Sequence, residues 1–158
     1  MSARRHLRRT VPALLILVVL AAVTAVGCSS GSGSSAAASG GITVTDAWAR
    51  PSAGTDASAA YFTIHNDSAT NDVLTAVSTP IATAEMHETM AGDSGMMGMQ
   101  PMSDVAIPAG KTVEFKPGGL HVMLTKPAAP IQAGQTIQLT LTFQKAGQVT
   151  VTAQVRAQ

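Results

Sequence analysis

Two histidines and a crowd of methionines are the residues of this chain best suited to hold a soft metal ion. Six of the eight methionines fall between Met86 and Met102, in MHETMAGDSGMMGMQPM, among Gly, Asp, Ser and Pro. Methionine commonly fills gaps in a core, but a core segment carries a helical or strand period. Turn formers dominate here instead, so the stretch reads as a loop whose sulfurs need a reason other than packing. His87 closes a short strand, ATAEMH, and opens that loop; Met99 lies twelve residues on, with Met90, Met96, Met97 and Met102 as neighbours. Downstream, strand geometry in LHVML puts His121 and Met123 on one face and Leu120, Val122 and Leu124 on the other. That pair is a half-site of one imidazole nitrogen and one thioether sulfur.

Ligand softness selects the metal. Thioethers are soft, neutral donors that suit Cu(I) and compete poorly for zinc, calcium or magnesium. Imidazole adds a borderline donor. A set of two His and two Met therefore favours Cu(I) and leaves the ion its full positive charge, with Glu85, Glu88 and Asp93 near enough to soften the field. Imidazole must be neutral to bind and thioethers do not titrate, so affinity is expected to weaken below about pH 6 without vanishing. Cys28 is the only cysteine. No intramolecular disulfide can form, and a blue-copper centre, which needs a thiolate, is excluded by composition.

The elements that must position these donors are strands. ITVTDAW (42–48), AAYFTI (59–64), DVLTAVS (72–78), KTVEFK (111–116), LHVMLT (120–125), TIQLTLTFQ (136–144) and QVTVTAQV (148–155) alternate with a period near two and are separated by turn signals such as RPSAGTD, HNDSATND, KPGG and KAGQ. In TIQLTLTFQ, Ile137, Leu139, Leu141 and Phe143 share one face, as expected of a strand covering one side of a core. No segment keeps a helical period for three turns. The pattern predicts an all-β antiparallel sandwich or barrel. Trp48 is expected at the edge of the core, His65 in a solvated turn, Met86 pointing inward, and Met90 and Met102 as surface patch or oxidant sink.

The amino terminus reads as an address. Arg4, Arg5, Arg8 and Arg9 precede an apolar run from Val11 to Val26, a secretory signal too short to be read as a span. It ends in AVGC, which resembles a bacterial lipobox, with Cys28 as the lipidated residue and Ala25 where the motif prefers leucine. Residues 1–27 are then the signal peptide, residues 28–41 the lipidated Cys and a flexible Ser/Gly/Ala tether, and residues 42–158 one folded domain. The chain has ten Lys and Arg and nine Asp and Glu; the leader holds four of the arginines and none of the acids, so the remainder is six minus nine, a net −3. Nothing basic remains to recruit nucleic acid, and the membrane is reached through the lipid.

The spacing of the donors is specific. Eleven residues separate His87 from Met99, twenty-one separate Met99 from His121, and one separates His121 from Met123. This resembles the H-(M)-x10-M-x21-H-x-M signature of the periplasmic copper-A chaperone (PCuAC) family, with Glu88 at its optional methionine. DAWARPS, AAYFTI, EMHET, IPAGKTVEFKPGGLHVML and LTLTFQKAGQVTV resemble the family along nearly all of 42–155. The resemblance implies a cupredoxin-like Greek-key β-barrel that binds Cu(I) outside the cytoplasm, with His87, Met99, His121 and Met123 as ligands and Met97 as the rival sulfur. It further implies delivery of copper toward the binuclear copper site of cytochrome c oxidase, alongside Sco-type proteins. A monomer is the expected state, with copper at one end of the barrel where the His87 loop meets the His121 strand.

Catalysis has no named agent. No nucleophile elbow, phosphate-binding Gly-rich loop or HExxH helix is present, and HETM lacks the second histidine. The competing readings are copper sequestration without a delivery partner, for which surplus sulfurs would serve, and a surface lipoprotein that binds no metal.

Overall fold

The computed structural model describes residues 36–91 and 97–157. The expected signal peptide, Cys28, the first part of the tether, Asp93 and Met96 lie outside the described residues. Among the described residues none is helical, and eleven strands form one sheet. They are β1 (Ala37–Ser39), β2 (Ile42–Ala49), β3 (Ser58–Asn66), β4 (Asp72–Ser78), β5 (Thr83–Ala91), β6 (Met97–Pro101), β7 (Val105–Ile107), β8 (Thr112–Phe115), β9 (Leu120–Thr125), β10 (Thr136–Phe143) and β11 (Gly147–Val155). Each of the seven strands expected from alternation is present.

The strand order is β6-β5-β9-β8-β3-β2-β11-β10-β4-β7, with β1 added on β2 and β9 also pairing β3. Pairing is antiparallel except for β2 with β11 and β8 with β9. The sheet curls into a half-barrel around one core that draws Ile42, Phe62, Ile64, Leu74, Ile107, Val122, Leu124, Leu139, Leu141 and Val151 from its whole width. Each such side chain stabilises the fold by about 1.5–3 kcal/mol when removed from water. Phe62 and Phe115, register partners on β3 and β8, stack with centroids 4.4 Å apart.

Period-two alternation breaks once where it matters. Continued strictly from Ile42 and Val44, it would send Asp46 and Trp48 into the core. A bulge between Thr45 and Trp48, with Asp46 at φ 53°, shifts the phase so that Ala47 and Ala49 are buried instead. Trp48 therefore lies on the outward face, half-buried, its ring tilted on Tyr61 at 4.5 Å and the Arg156 guanidinium 5.2 Å from its centroid.

One buried carboxylate pins the far side of the sheet. Asp72 Oδ1 accepts the N–H groups of Val73 and Lys145 and its Oδ2 accepts that of Ala146, which ties the start of β4 to the β10–β11 turn. Burial works to raise its pKa. The Ala146, Val73 and Lys145 amides and the Lys145 charge outweigh that and hold it below the ordinary 3.8.

Three expectations are corrected. The methionine-rich stretch is not a free loop: β5 runs on past His87 to Ala91 and pairs with β6, so Met97 and Met99 sit on a strand. The glycines and polar residues hid this because β6 is exposed along its whole length and so shows no burial period. Ala37–Ser39, assigned to the tether, pairs with β2. His65 is not in a turn but in β3, where Nε2 is 3.3 Å from Thr45 Oγ1 and Nδ1 is 3.0 Å from Thr112 Oγ1.

Candidate metal centre

Strand register brings the candidate donors to one face. On β5 and β9, His87 stands opposite His121 and Glu85 opposite Met123. On β5 and β6, Pro101 stands opposite His87, Met99 opposite Thr89, and Met97 opposite Ala91. Register partners point to the same side of a sheet, and so do residues two apart on a strand. Read along the ladder, the rungs carry Met123, then the two imidazoles, then Met99, then Met97. This is the outward side of the sheet, since the intervening Met86, Val122 and Leu124 are buried in the core.

The two imidazoles are held differently. His121 is 5% exposed, and its Nδ1 lies 2.9 Å from the Gly119 carbonyl oxygen. A carbonyl can only accept, so Nδ1 carries the proton and Nε2 keeps the lone pair of the neutral ring. The KPGG turn supplies that carbonyl. Gly118 adopts φ 79°, a conformation that L side chains avoid, Gly119 N–H donates to Lys116 O at 3.1 Å, and Gly119 O also accepts the Thr89 N–H at 3.1 Å.

His87 has no such support. Both of its ring nitrogens are buried and lack a hydrogen-bond partner among the described residues. Glu85 Oε2 is 3.7 Å from Nε2, near enough for electrostatic attraction and too long for a hydrogen bond. Buried polar atoms without partners are uncommon and costly, and a bound cation accounts for them when a second donor faces them. Here the facing donor is His121, with ring centroids 5.9 Å apart and planes inclined at 32°.

The sulfurs differ in access. Met99, His121 and Met123 line a cleft of about 590 Å³ together with Tyr61, Thr89 and Arg50. Met99 is 61% exposed and Met97 65%, whereas Met86 is buried and Met102 packs partly buried against the core. Met90 pairs with Gly98 and so points to the other side of the β5–β6 ribbon. Met102 therefore does not fit the exposed patch or oxidant sink expected of it, while Met86 points inward as anticipated. Among the described residues no three His, Cys, Asp or Glu side chains cluster closely enough to hold a metal by themselves. The further donors on this face are thioethers, whose chemistry suits a soft monovalent ion. Gly119 and Thr89 escape a reading based on side-chain chemistry because they contribute backbone groups; the KPGG turn immediately before the LHVML strand was the available signal.

Comparison with known proteins agrees with this architecture. Residues 42–155 match the LpqE-like family, described as "Putative lipoprotein LpqE-like". A curated relative, "Putative lipoprotein Lxx21020" of Leifsonia xyli subsp. xyli, is 36% identical over 104 residues, 65% of this chain and 62% of the relative. The uncharacterized protein RP573 of Rickettsia prowazekii is 33% identical over 102 residues, 61% of this chain and 56% of the relative. The chain thus spans about three fifths of the length of these curated relatives. Among solved structures, the copper-bound PCuAC domain from PmoF2 superposes with a TM-score of 0.65 at 27% identity, covering 78% of this chain and 99% of that domain. The solution structure of CuI-DR1885 from Deinococcus radiodurans gives 0.55 at 33% identity, covering 72% and 78%. The chain belongs to the LpqE-like family, and its cupredoxin-like half-barrel is of the PCuAC type.

Proposed function

We propose that this protein is an extracytoplasmic Cu(I)-binding chaperone that holds one ion between His87, Met99, His121 and Met123. The observation that carries the reading is the imidazole pair: two register partners, one ring oriented by a backbone carbonyl and the other with both nitrogens buried and unpartnered, flanked on adjacent rungs by thioethers. Four neutral donors of this softness suit Cu(I), and the copper-bound PmoF2 domain and CuI-DR1885 are relatives of the same fold that hold copper. Met97 is the rival sulfur, set one rung further out. Because Met99 stands open to solvent, a partner's donor can approach the ion before any ligand leaves, which favours hand-off by ligand exchange.

The proposed topology has a signal peptide over 1–27, a lipid on Cys28 and the copper domain tethered to the outer face of the cytoplasmic membrane; the lipoprotein family and relative are consistent with it. The proposed recipient is the binuclear copper site of cytochrome c oxidase, reached directly or through a Sco-type protein. Titration of the domain with Cu(I) under reducing conditions is expected to show one tight site, lost when all four donors are replaced. Transfer from the loaded domain to the soluble copper domain of the oxidase subunit, followed by the spectrum of the assembled site, tests delivery.

A second reading, sequestration without a recipient, is favoured by sulfurs outside the four: Met90 and Met97 are 50% and 65% exposed. Binding of several Cu(I) ions per chain supports storage, and a single ion supports delivery.

A further inference from the structure

We propose that Met97 is the transfer thioether of this site, the sulfur through which Cu(I) arrives and leaves, distinct from the sulfurs that hold it at equilibrium. The inference rests on the Cu(I) reading above and gives Met97, there only the rival sulfur, a role of its own in place of equilibrium ligation. Met97 and Met99 are two residues apart on β6, so they share a face, and Gly98 between them points its hydrogen the other way. Register places Met97 opposite Ala91, one rung beyond the Thr89–Met99 rung and two beyond the imidazoles. Successive same-face residues on a strand are about 6.6 Å apart, so Met97 stands roughly 13 Å along the ladder from the imidazole rung. Register thus sets Met97 one rung farther from both rings than Met99, its neighbour on the same face of β6.

Exposure points the same way. Met97 is 65% exposed, more than Met99 at 61% or Met90 at 50%. An unbranched thioether with three rotatable bonds can swing across one rung toward Met99, while its exposed end meets an incoming donor. The ladder thus grades from partly buried Met123 and buried His121 to two open thioethers, a path of decreasing enclosure along which the ion moves one donor at a time. On departure a Met97 sulfur–copper bond forms as an inner donor–copper bond breaks, and the Met97–copper bond then breaks as a bond from the accepting donor forms; arrival is the same exchange in reverse. Copper stays Cu(I), and no proton moves because thioethers do not titrate. Met90, on the opposite side of the same ribbon, serves as an internal control.

The experiment uses the full chain loaded with one Cu(I), with Met97→Leu and Met90→Leu as near-isosteric variants and bathocuproine disulfonate as the copper-accepting probe. Equilibrium competition is expected to give Met97→Leu a wild-type affinity within about twofold, whereas stopped-flow transfer to the probe slows about tenfold, equivalent to roughly 1.4 kcal/mol of barrier. Met90→Leu should match wild type in both. Wild-type transfer kinetics in Met97→Leu would overturn the proposal, and so would an affinity loss as large as that of Met99→Leu, which would make Met97 an equilibrium ligand. Absence of Cu(I) binding by the wild-type chain is a separate result that overturns the metal reading itself and the role of Met97 with it.

Discussion

His87 and His121 face each other as register partners across β5 and β9, yet only His121 has its ring oriented by a hydrogen bond, from Nδ1 to the Gly119 carbonyl. The asymmetry favours the proposed role of a site that releases what it binds. In the proposed site one ring is preset with its Nε2 lone pair available, and the other would gain its partner when the cation binds. In the metal-free protein those buried, unbonded nitrogens of His87 are a cost that binding removes.

Replacing either ring therefore weakens binding strongly and for different reasons. His121→Ala and His87→Ala are each expected to lower Cu(I) affinity by more than about 100-fold, beyond the ten- to hundredfold typical of losing an outer-shell partner. His87→Ala should leave stability unchanged or raised, since it removes two unsatisfied buried atoms. Competition titration and urea unfolding of the metal-free variants provide the two readouts.

Gly118 tests whether the KPGG turn orients His121. An added Cβ at Gly118 meets nothing within 4 Å, so Gly118→Ala acts through the φ of 79° and not through a clash. Left-handed backbone costs an ordinary residue about 1–2 kcal/mol, and relief of that strain rotates the Gly119 carbonyl away from Nδ1. The expected result is a stability loss of about 1 kcal/mol with a roughly tenfold loss of Cu(I) affinity. Gly119→Ala, where the new Cβ would meet Lys116 only at 3.7 Å, should be nearly neutral in both measurements.

Met99 separates affinity from stability. The side chain is 61% exposed and contributes little to the core, so Met99→Leu should hold the thermal midpoint within about 2 °C. Loss of a soft donor should nevertheless cost at least about tenfold in Cu(I) affinity, since leucine offers no lone pair. An unchanged affinity in this variant would remove Met99 from the ligand set.

Asp72 makes the fold acid-sensitive through β4, which pairs with β10 and β7 and not with the strands that carry the candidate donors. Its folded pKa is lowered from the ordinary 3.8, so its carboxylate stabilises the protein above the unfolded value, and that contribution is lost as pH falls through the folded one. Asp72→Asn should lower stability at neutral pH by about 1–3 kcal/mol and flatten the fall in urea midpoint as pH drops through the ordinary carboxylate value of 3.8 and below it. An unaltered acid slope in the variant would assign the sensitivity elsewhere.

Legibility followed burial. Strands with one face in the core, such as β10 with Leu139, Leu141 and Phe143, announce themselves because water and core sort their side chains alternately. β6 does not, because all of its residues are exposed and no sorting force acts on it. The outward face of Trp48 was illegible for the complementary reason: the β2 bulge at Asp46 inverts the phase of an alternation that reads as regular.

The sequence alone determined the donor types, their spacing and the all-β class, because ligand softness and alternating polarity are properties of residues in order. Only the tertiary structure decided that His87 and His121 are cross-strand partners, that Met99 and Met97 occupy successive rungs outward from them, and that Met90 faces away. Those relations depend on pairing register between segments distant in the chain. A slip of one residue would send every donor on a strand to the opposite side, and no composition or local period records which register is adopted.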